Sequence, residues 1–221
     1  KPLFLDDLYD DLISATGQEK KLKKLLSKIY NTIIFDPACG SGNFLVISYK
    51  ELYKLEIEIL IQLKEIDKNE WLLSKSGISL EQFYGIEIDD YAQEAAKLSL
   101  WIAQHQMNIQ YKKMMNDFRP TLPLSPSGNI TLGNATKLNW NEVCPYDDKK
   151  YFFVIGNPPY AGARLQSKNQ KNDMEYVFGN IQKGHKDLDY ISCWFFLGSK
   201  YIENKNAKLA FVSTNSIVQG E

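Results

Sequence analysis

Cysteine is scarce in this chain: three in 221 residues, Cys39, Cys144 and Cys193. A sparse, odd set without metal-ligand spacing excludes a disulfide framework and fits a reducing compartment. Histidine is scarcer still, with two residues. His105 and His185 have no ligating partner pattern, so both read as structural or surface residues and no metal is expected. No apolar run approaches the roughly 18 residues that a membrane span needs. The stretch Tyr190–Leu197 is far too short. No signal peptide is visible in the sequence, so a cytoplasmic location without a membrane partner is the expectation. Positive charge is not in excess either: 26 Lys and Arg face 27 Asp and Glu, a net charge of −1. That is not the global footprint of a nucleic-acid binder. Any basic surface for DNA must be local or lie elsewhere. Repeats and low-complexity tracts are missing as well.

What is present reads as an ordinary globular core, with 44% hydrophobic and 24% charged residues. The length fits one domain, or one and a part. Residues 1–30 form a helical segment, with Leu8, Leu12, Leu22, Leu25, Leu26 and Ile29 at helical spacing and a break at Thr16-Gly17. Residues 31–221 alternate apolar strands with helices. Strands are predicted at Thr32–Phe35, Phe83–Ile88, Asn129–Leu132, Tyr151–Ile155 and Lys208–Ser213. A long helix carries Leu45, Tyr49, Leu52, Leu55, Ile59, Leu63 and Ile66, and Lys64–Gln82 reads as an inserted elaboration. Asp89 and Asp90 can cap the next helix, with Ala92, Ala95, Ala96, Leu98, Ile102 and Ala103 as its inner face. Phe118–Gly128 is a loop by its prolines, and the polar stretch Ala161–Gly184 reads as a mobile connection. A helix over Leu188–Ile202 turns Ile191, Trp194, Phe195, Tyr201 and Ile202 inward. Trp101 and Trp194 read as core. The pattern predicts an α/β fold with a mostly parallel sheet and helices on both faces.

In such sheets, ligands bind beyond the carboxyl ends of the strands. Every unusual motif falls there. "DPACGSGNF" (Asp36–Phe44) joins a strand to a helix, and its glycines permit positive φ and a close backbone approach. It is neither G-x-G-x-x-G nor a P-loop. Asp36 points to a cationic or hydroxylated ligand group rather than a phosphate. A plain tight turn is the bland alternative. Glu87 ends the second strand and can accept from both hydroxyls of a ribose. Helix capping is the other reading, but Asp89 and Asp90 already fill that role. Asn134, beside Ala135, either faces a purine edge or simply closes a turn after Gly133.

The run "IGNPPY" (Ile155–Tyr160) ends the fourth strand. Each proline biases its predecessor toward extended backbone. Asn157 and Pro158 are thereby held stretched, with their carbonyls fixed in direction. Two acceptors converging on one spot suit an –NH2 group, and Tyr160 supplies a flat face for a planar base. A proline turn with a surface tyrosine is the alternative.

At these residues the sequence resembles the gamma-class amino-methyltransferases of DNA, which use S-adenosylmethionine (SAM). It is more similar still to the MmeI-like restriction–modification methyltransferases, through "FDPACGSGNFLVISYKEL", "FYGIEIDDYAQEAAKLSLW" and "DLDYISCWF...AFVSTNSIVQGE". The resemblance covers roughly Thr32 to Glu221. It implies a Rossmann-like fold. It also implies that Asp36, Ala38, Cys39, Gly40 and Gly42 surround the methionine portion of SAM. Glu87 and Ile88 would hold ribose and adenine, and Asn134 and Ala135 the adenine edge. Asn157, Pro158, Pro159 and Tyr160 would form the target-base site. The implied reaction is methyl transfer from SAM to N6 of a flipped adenine in double-stranded DNA. No covalent nucleophile is implied. A cytosine-C5 enzyme needs a Pro-Cys loop, whereas here Pro145 follows Cys144.

Two departures stand out. The spacing from Gly42 to Glu87 is longer than the fold usually needs. A target-recognition domain is expected beyond residue 221, with the last sheet strands, and a fused nuclease is compatible with the family. The same –NH2 capture also serves methyltransferases of RNA bases or protein glutamine, and a non-catalytic SAM-binding module is a third reading.

Overall fold

The computed structural model describes residues 3–66, 77–115, 128–181 and 184–215. Two helices open it, α1 (Leu3–Ala15) and α2 (Glu19–Tyr30). They part at Gly17, whose φ of 72° suits a residue without a side chain. In α2, Leu22, Leu25, Leu26 and Ile29 recur at helical spacing and are buried.

The chain then alternates. β1 (Thr32–Asp36) leads into α3 (Asn43–Ile66). A 3-10 turn, Leu80–Gln82, precedes β2 (Phe83–Glu87) and α4 (Asp90–Met115). β3 (Asn129–Leu132), the short α5 (Trp140–Val143) and β4 (Tyr151–Gly156) follow. Next come α6 (Lys168–Phe178), a 3-10 turn at His185–Asp187, α7 (Ser192–Ile202) and β5 (Ala207–Phe211).

The five strands form one sheet in the order β3-β2-β1-β4-β5, and every neighbouring pair is parallel. β1 lies at the centre with all its residues buried, as a strand covered on both faces must be. Successive side chains of a strand point to opposite faces, and the core divides accordingly. Ile34, Phe83, Ile130 and Ile155 join one cluster with α1, α2, α3 and α4. Ile33, Phe35, Ile86, Phe152 and Val154 join the other with α5, α6 and α7. The α/β fold with helices on both faces is therefore present.

Three expectations need correction. Ala161–Gly184 is not merely a connection, because α6 lies within it. Ser167 caps α6 by accepting from the Gln170 N–H, and the Gln170 side chain accepts from the Ser167 N–H. Met174, Val177 and Phe178 anchor it. The inner face of α4 is Gln93, Ala96, Leu100, Ala103, Met107 and Tyr111, while Leu98 and Ile102 are exposed. Trp101 is not core: it lies on the outer side of α4, its ring stacked on His105. The expected insertion and the proline loop fall largely on residues 67–76 and 116–127, outside the described residues.

Candidate active site

The loop after β1 is built around two glycines in the left-handed region, Gly40 (φ 54°) and Gly42 (φ 84°). A side chain at Gly42 would also be crowded, since a Cβ there would stand 3.2 Å from Ala96 Cβ on α4. The loop leans across to β2. Cys39 N–H donates to Ile86 O at 3.0 Å, and Gly40 N–H donates to Glu87 Oε2 at 2.8 Å. From the other face of the sheet, Trp194 Nε1 donates to Pro37 O at 3.0 Å. The core reading of Trp194 holds, and the ring also braces this loop.

Asp36 lies under the loop rather than in it. It is 1% exposed, and its Oδ1 accepts from Ala38 N–H at 3.0 Å. Burial pushes its carboxyl up from 3.8 to about 7. The Ala38 N–H opposes the rise, and the negative charge of Glu87 adds to it. Burial, with Asp36 and Glu87 nearby, likewise pushes the Cys39 thiol up. Cys39, buried and beside two carboxyls, lacks the exposed, electropositive surroundings of a reactive thiol.

Glu87 closes β2 at the cavity wall. Its second oxygen, Oε1, accepts from Asp89 N–H at 3.0 Å. Two backbone donors hold the carboxylate in one orientation, and each oxygen keeps a further lone pair. Asp89, as expected, caps α4 by accepting from Ala92 N–H.

The turn after β3 is held from within and from far along the chain. Asn134 Oδ1 accepts from both Thr136 N–H (2.9 Å) and Thr136 Oγ1 (2.7 Å). Its Nδ2 donates to Asp173 Oδ2 on α6 at 3.0 Å. That oxygen also accepts from Tyr190 Oη at 2.8 Å, and Lys137 Nζ lies 3.1 Å from Asp173 Oδ1. The Asn134 side chain thus shapes a turn, the plainer of its two readings, while standing in the cavity wall.

β4 ends at Asn157–Tyr160. Pro158 is buried, whereas Asn157, Pro159 and Tyr160 are exposed, Tyr160 by 52%. Among the described residues, no hydrogen bond engages the Asn157 amide and no ring stacks on Tyr160. Neither proline has an N–H, so this stretch is short of backbone donors.

These pieces border one cavity of about 530 Å³ at the carboxyl edge of the sheet. Ala38, Gly40, Glu87, Ile88, Asn134 and Ala135 line it, and so do Asn157 and Pro159. Asp36, Cys39, Gly42, Pro158 and Tyr160 do not; they stand behind it or at its side. α6 and the start of α7 add Ser167, Gln170, Asp173, Tyr190 and Trp194, of which only Trp194 drew attention in the sequence. The S-x-x-Q of Ser167–Gln170, followed by Met174, Val177 and Phe178, was the available signal for α6. A volume of this size, apolar for the most part with a few fixed polar groups, suits a nucleoside-sized ligand.

Residues 12–221 match the family model described as the MmeI DNA-methyltransferase domain. The chain belongs to this family. It is 52% identical over its whole length to DNA methyltransferase A of Bacillus subtilis, of which it covers 25%. It is 23% identical, over 73% of its length, to the type II restriction enzyme and methyltransferase RM.Eco57I of Escherichia coli, of which it covers 18%. Among solved structures, it is similar to the Type IIL restriction-modification enzyme MmeI in complex with DNA. The TM-score is 0.89 with 39% identity, over all of this chain and 29% of that one. The chain thus spans about a quarter of the length of its MmeI-family relatives.

Proposed function

We propose that this chain is the methyl-transferring module of a restriction–modification protein, acting on N6 of an adenine flipped out of double-stranded DNA. The observation that carries this reading is the shared cavity: Glu87, held by two backbone donors, and Asn157, with an uncommitted amide, line the same hollow. Residues 31–221 carry the module, and residues 1–30 brace it.

The residues present fit SAM. Glu87 has lone pairs to spare for two ribose hydroxyls. Ile88, exposed and apolar beside it, offers a face for the adenine. Ala135 and Asn134 border its edge, and Gly40 brings bare backbone to the remainder, with Ala38 beside it and Asp36, Cys39 and Gly42 supporting the turn. When bound, SAM supplies an electrophilic methyl group on a sulfonium.

The protein's own part is positioning. The target base stacks on Tyr160, whose ring is exposed and unoccupied. Asn157 Oδ1 and the Pro158 carbonyl accept the two amine hydrogens, so the nitrogen lone pair is aimed into the cavity. These acceptors also stabilise the positive charge that develops as nitrogen gains its fourth bond, before its proton passes to solvent water. Such catalysis rests on pre-set dipoles and alignment, not on a titrating acid or base. Arg164, Lys168 and Lys171 are exposed just after the loop, where they can contact phosphates of the flipped strand. Reading of the DNA sequence falls to a domain elsewhere in the whole protein.

Asn157→Ala is the direct test. In the whole protein it abolishes methyl transfer to plasmid DNA and leaves SAM binding intact. Retained turnover, or wild-type transfer to a release factor or RNA instead of DNA, overturns the reading.

A further inference from the structure

Asp189 has no role so far, although it falls in one of the runs that resemble the family. The loop it touches is the proposed target-base loop. Two of that loop's four residues are prolines, so it has few N–H groups with which to anchor itself. Its ties lie at its flanks. On one side, Gly156 O accepts from Val212 N–H at 2.9 Å, just beyond β5. On the other, Ala161 N–H donates to Asp189 Oδ1 at 3.0 Å. Ala161 O in turn accepts from Tyr190 N–H at 3.0 Å and from Gln166 Nε2 at 3.1 Å.

Asp189 is itself well fixed. The same Oδ1 accepts from Ile191 N–H at 3.2 Å, at the start of α7. α7 is seated by the buried Cys193, Trp194 and Tyr201. The neighbouring Tyr190 reaches the opposite half of the site through Asp173 and Asn134. A single turn therefore connects the loop's trailing end to a rigid helix and to the cavity's far wall. Asp189 is not among the residues lining the cavity.

We infer that Asp189 is a positioning residue for the target-base loop. By taking the Ala161 N–H, two residues after the second proline, it fixes the backbone that sets the Tyr160 ring and the Pro158 carbonyl. The inference rests on the reading of Asn157–Tyr160 given above. A residue that only capped α7 would show the Ile191 bond alone. The bond to Ala161, 28 positions away, is what assigns the further role.

The test uses the whole protein with Asp189→Ala and Asp189→Asn. Hydrogen exchange is followed over residues 156–162 without DNA or cofactor, and methyl transfer to plasmid DNA is measured beside it. Asp189→Ala speeds exchange at Ala161 by about tenfold or more and also frees the Ile191 N–H, while the amides in the body of α7 keep wild-type rates. It lowers kcat on the order of ten- to a hundredfold. The KM for SAM stays within about twofold. Asp189→Asn keeps an oxygen acceptor in place and restores both readouts. Should Asp189→Ala not fold, Asp189→Glu keeps the charge, displaces the oxygen and shows the same loosening. Unchanged exchange at Ala161 overturns the inference. So does an equal loss of kcat in Asp189→Asn with a wild-type loop. A wild-type protein that methylates no DNA sinks the proposed function instead, and the exchange readout still decides whether Asp189 holds the loop.

Discussion

Gly156, the last residue of β4, lies so close to the Asp36 side chain of β1 that a Cβ on it would stand 2.5 Å from Asp36 Oδ1. That oxygen is the one accepting from Ala38 N–H. Gly156→Ala therefore displaces the carboxyl and unties the turn on the neighbouring strand. The expected cost is ~1–3 kcal/mol of stability, as for other overpacked core sites, read by urea denaturation. Weaker SAM binding should accompany it, because Ala38 and Gly40 move with the turn.

Asp36 gives a pH signature with a definite sign. Its carboxyl is raised from 3.8 to about 7 in the folded protein, chiefly by burial. Between those values the native state keeps a proton that the unfolded chain has lost. Rising pH then favours unfolding across this window, and the effect levels off above it. Asp36→Asn carries no titrating proton there. The stability difference between variant and wild type should thus grow in the variant's favour from about pH 4 to about pH 7. Denaturation midpoints at a series of pH values check it; parallel curves would refute it.

Glu87 is the next target. Its oxygens accept from Gly40 and Asp89 N–H groups, and Glu87→Gln turns one of those oxygens into a donor facing a donor. Hydrogen bonds to a charged group contribute ~1.5–3 kcal/mol, so SAM affinity should fall on the order of ten- to a hundredfold. Calorimetry measures this, and kcat at saturating SAM should change less.

Tyr190→Phe removes the hydroxyl that donates to Asp173 Oδ2 at 2.8 Å. Asp173 is buried, and Asn134 Nδ2 then remains as that oxygen's donor. A loss of ~1–3 kcal/mol is expected from leaving a buried charge poorly served. Thermal melting reads it. SAM binding should weaken with it, since Asp173, the distant partner of the Asn134 turn, is itself less firmly held.

Much of this was legible in the residues. β1 and β4 show as unbroken apolar runs because both their faces are covered, and each ends in a motif of unusual composition. Glu87 could be named for its place at a strand end. α6 escaped because its inner face carries Asp173, a charged residue that interrupts the apolar stripe and makes sense only beside Asn134 and Tyr190. The face of α4 was misjudged for the opposite reason. Ala96, Leu100, Ala103 and Met107 point in, yet Leu98 and Ile102 point out, so apolar spacing alone could not choose between the two sides. The two readings of Asn134 could not be separated in the sequence because its amide's partner on α6 lies 39 positions further on. Local pattern carries strand ends well; it carries poorly what is fixed by a side chain from another element.

The two prolines beyond β4 take two N–H groups out of that rim and leave it rich in acceptors. A rim of lone pairs is a filter by sign. A base presenting an oxygen at the same place, as thymine or guanine does, would set acceptor against acceptor with nothing between them. On the proposed reading, discrimination between amino and keto bases begins with two hydrogens missing from the backbone, and the Asn157 oxygen adds to it.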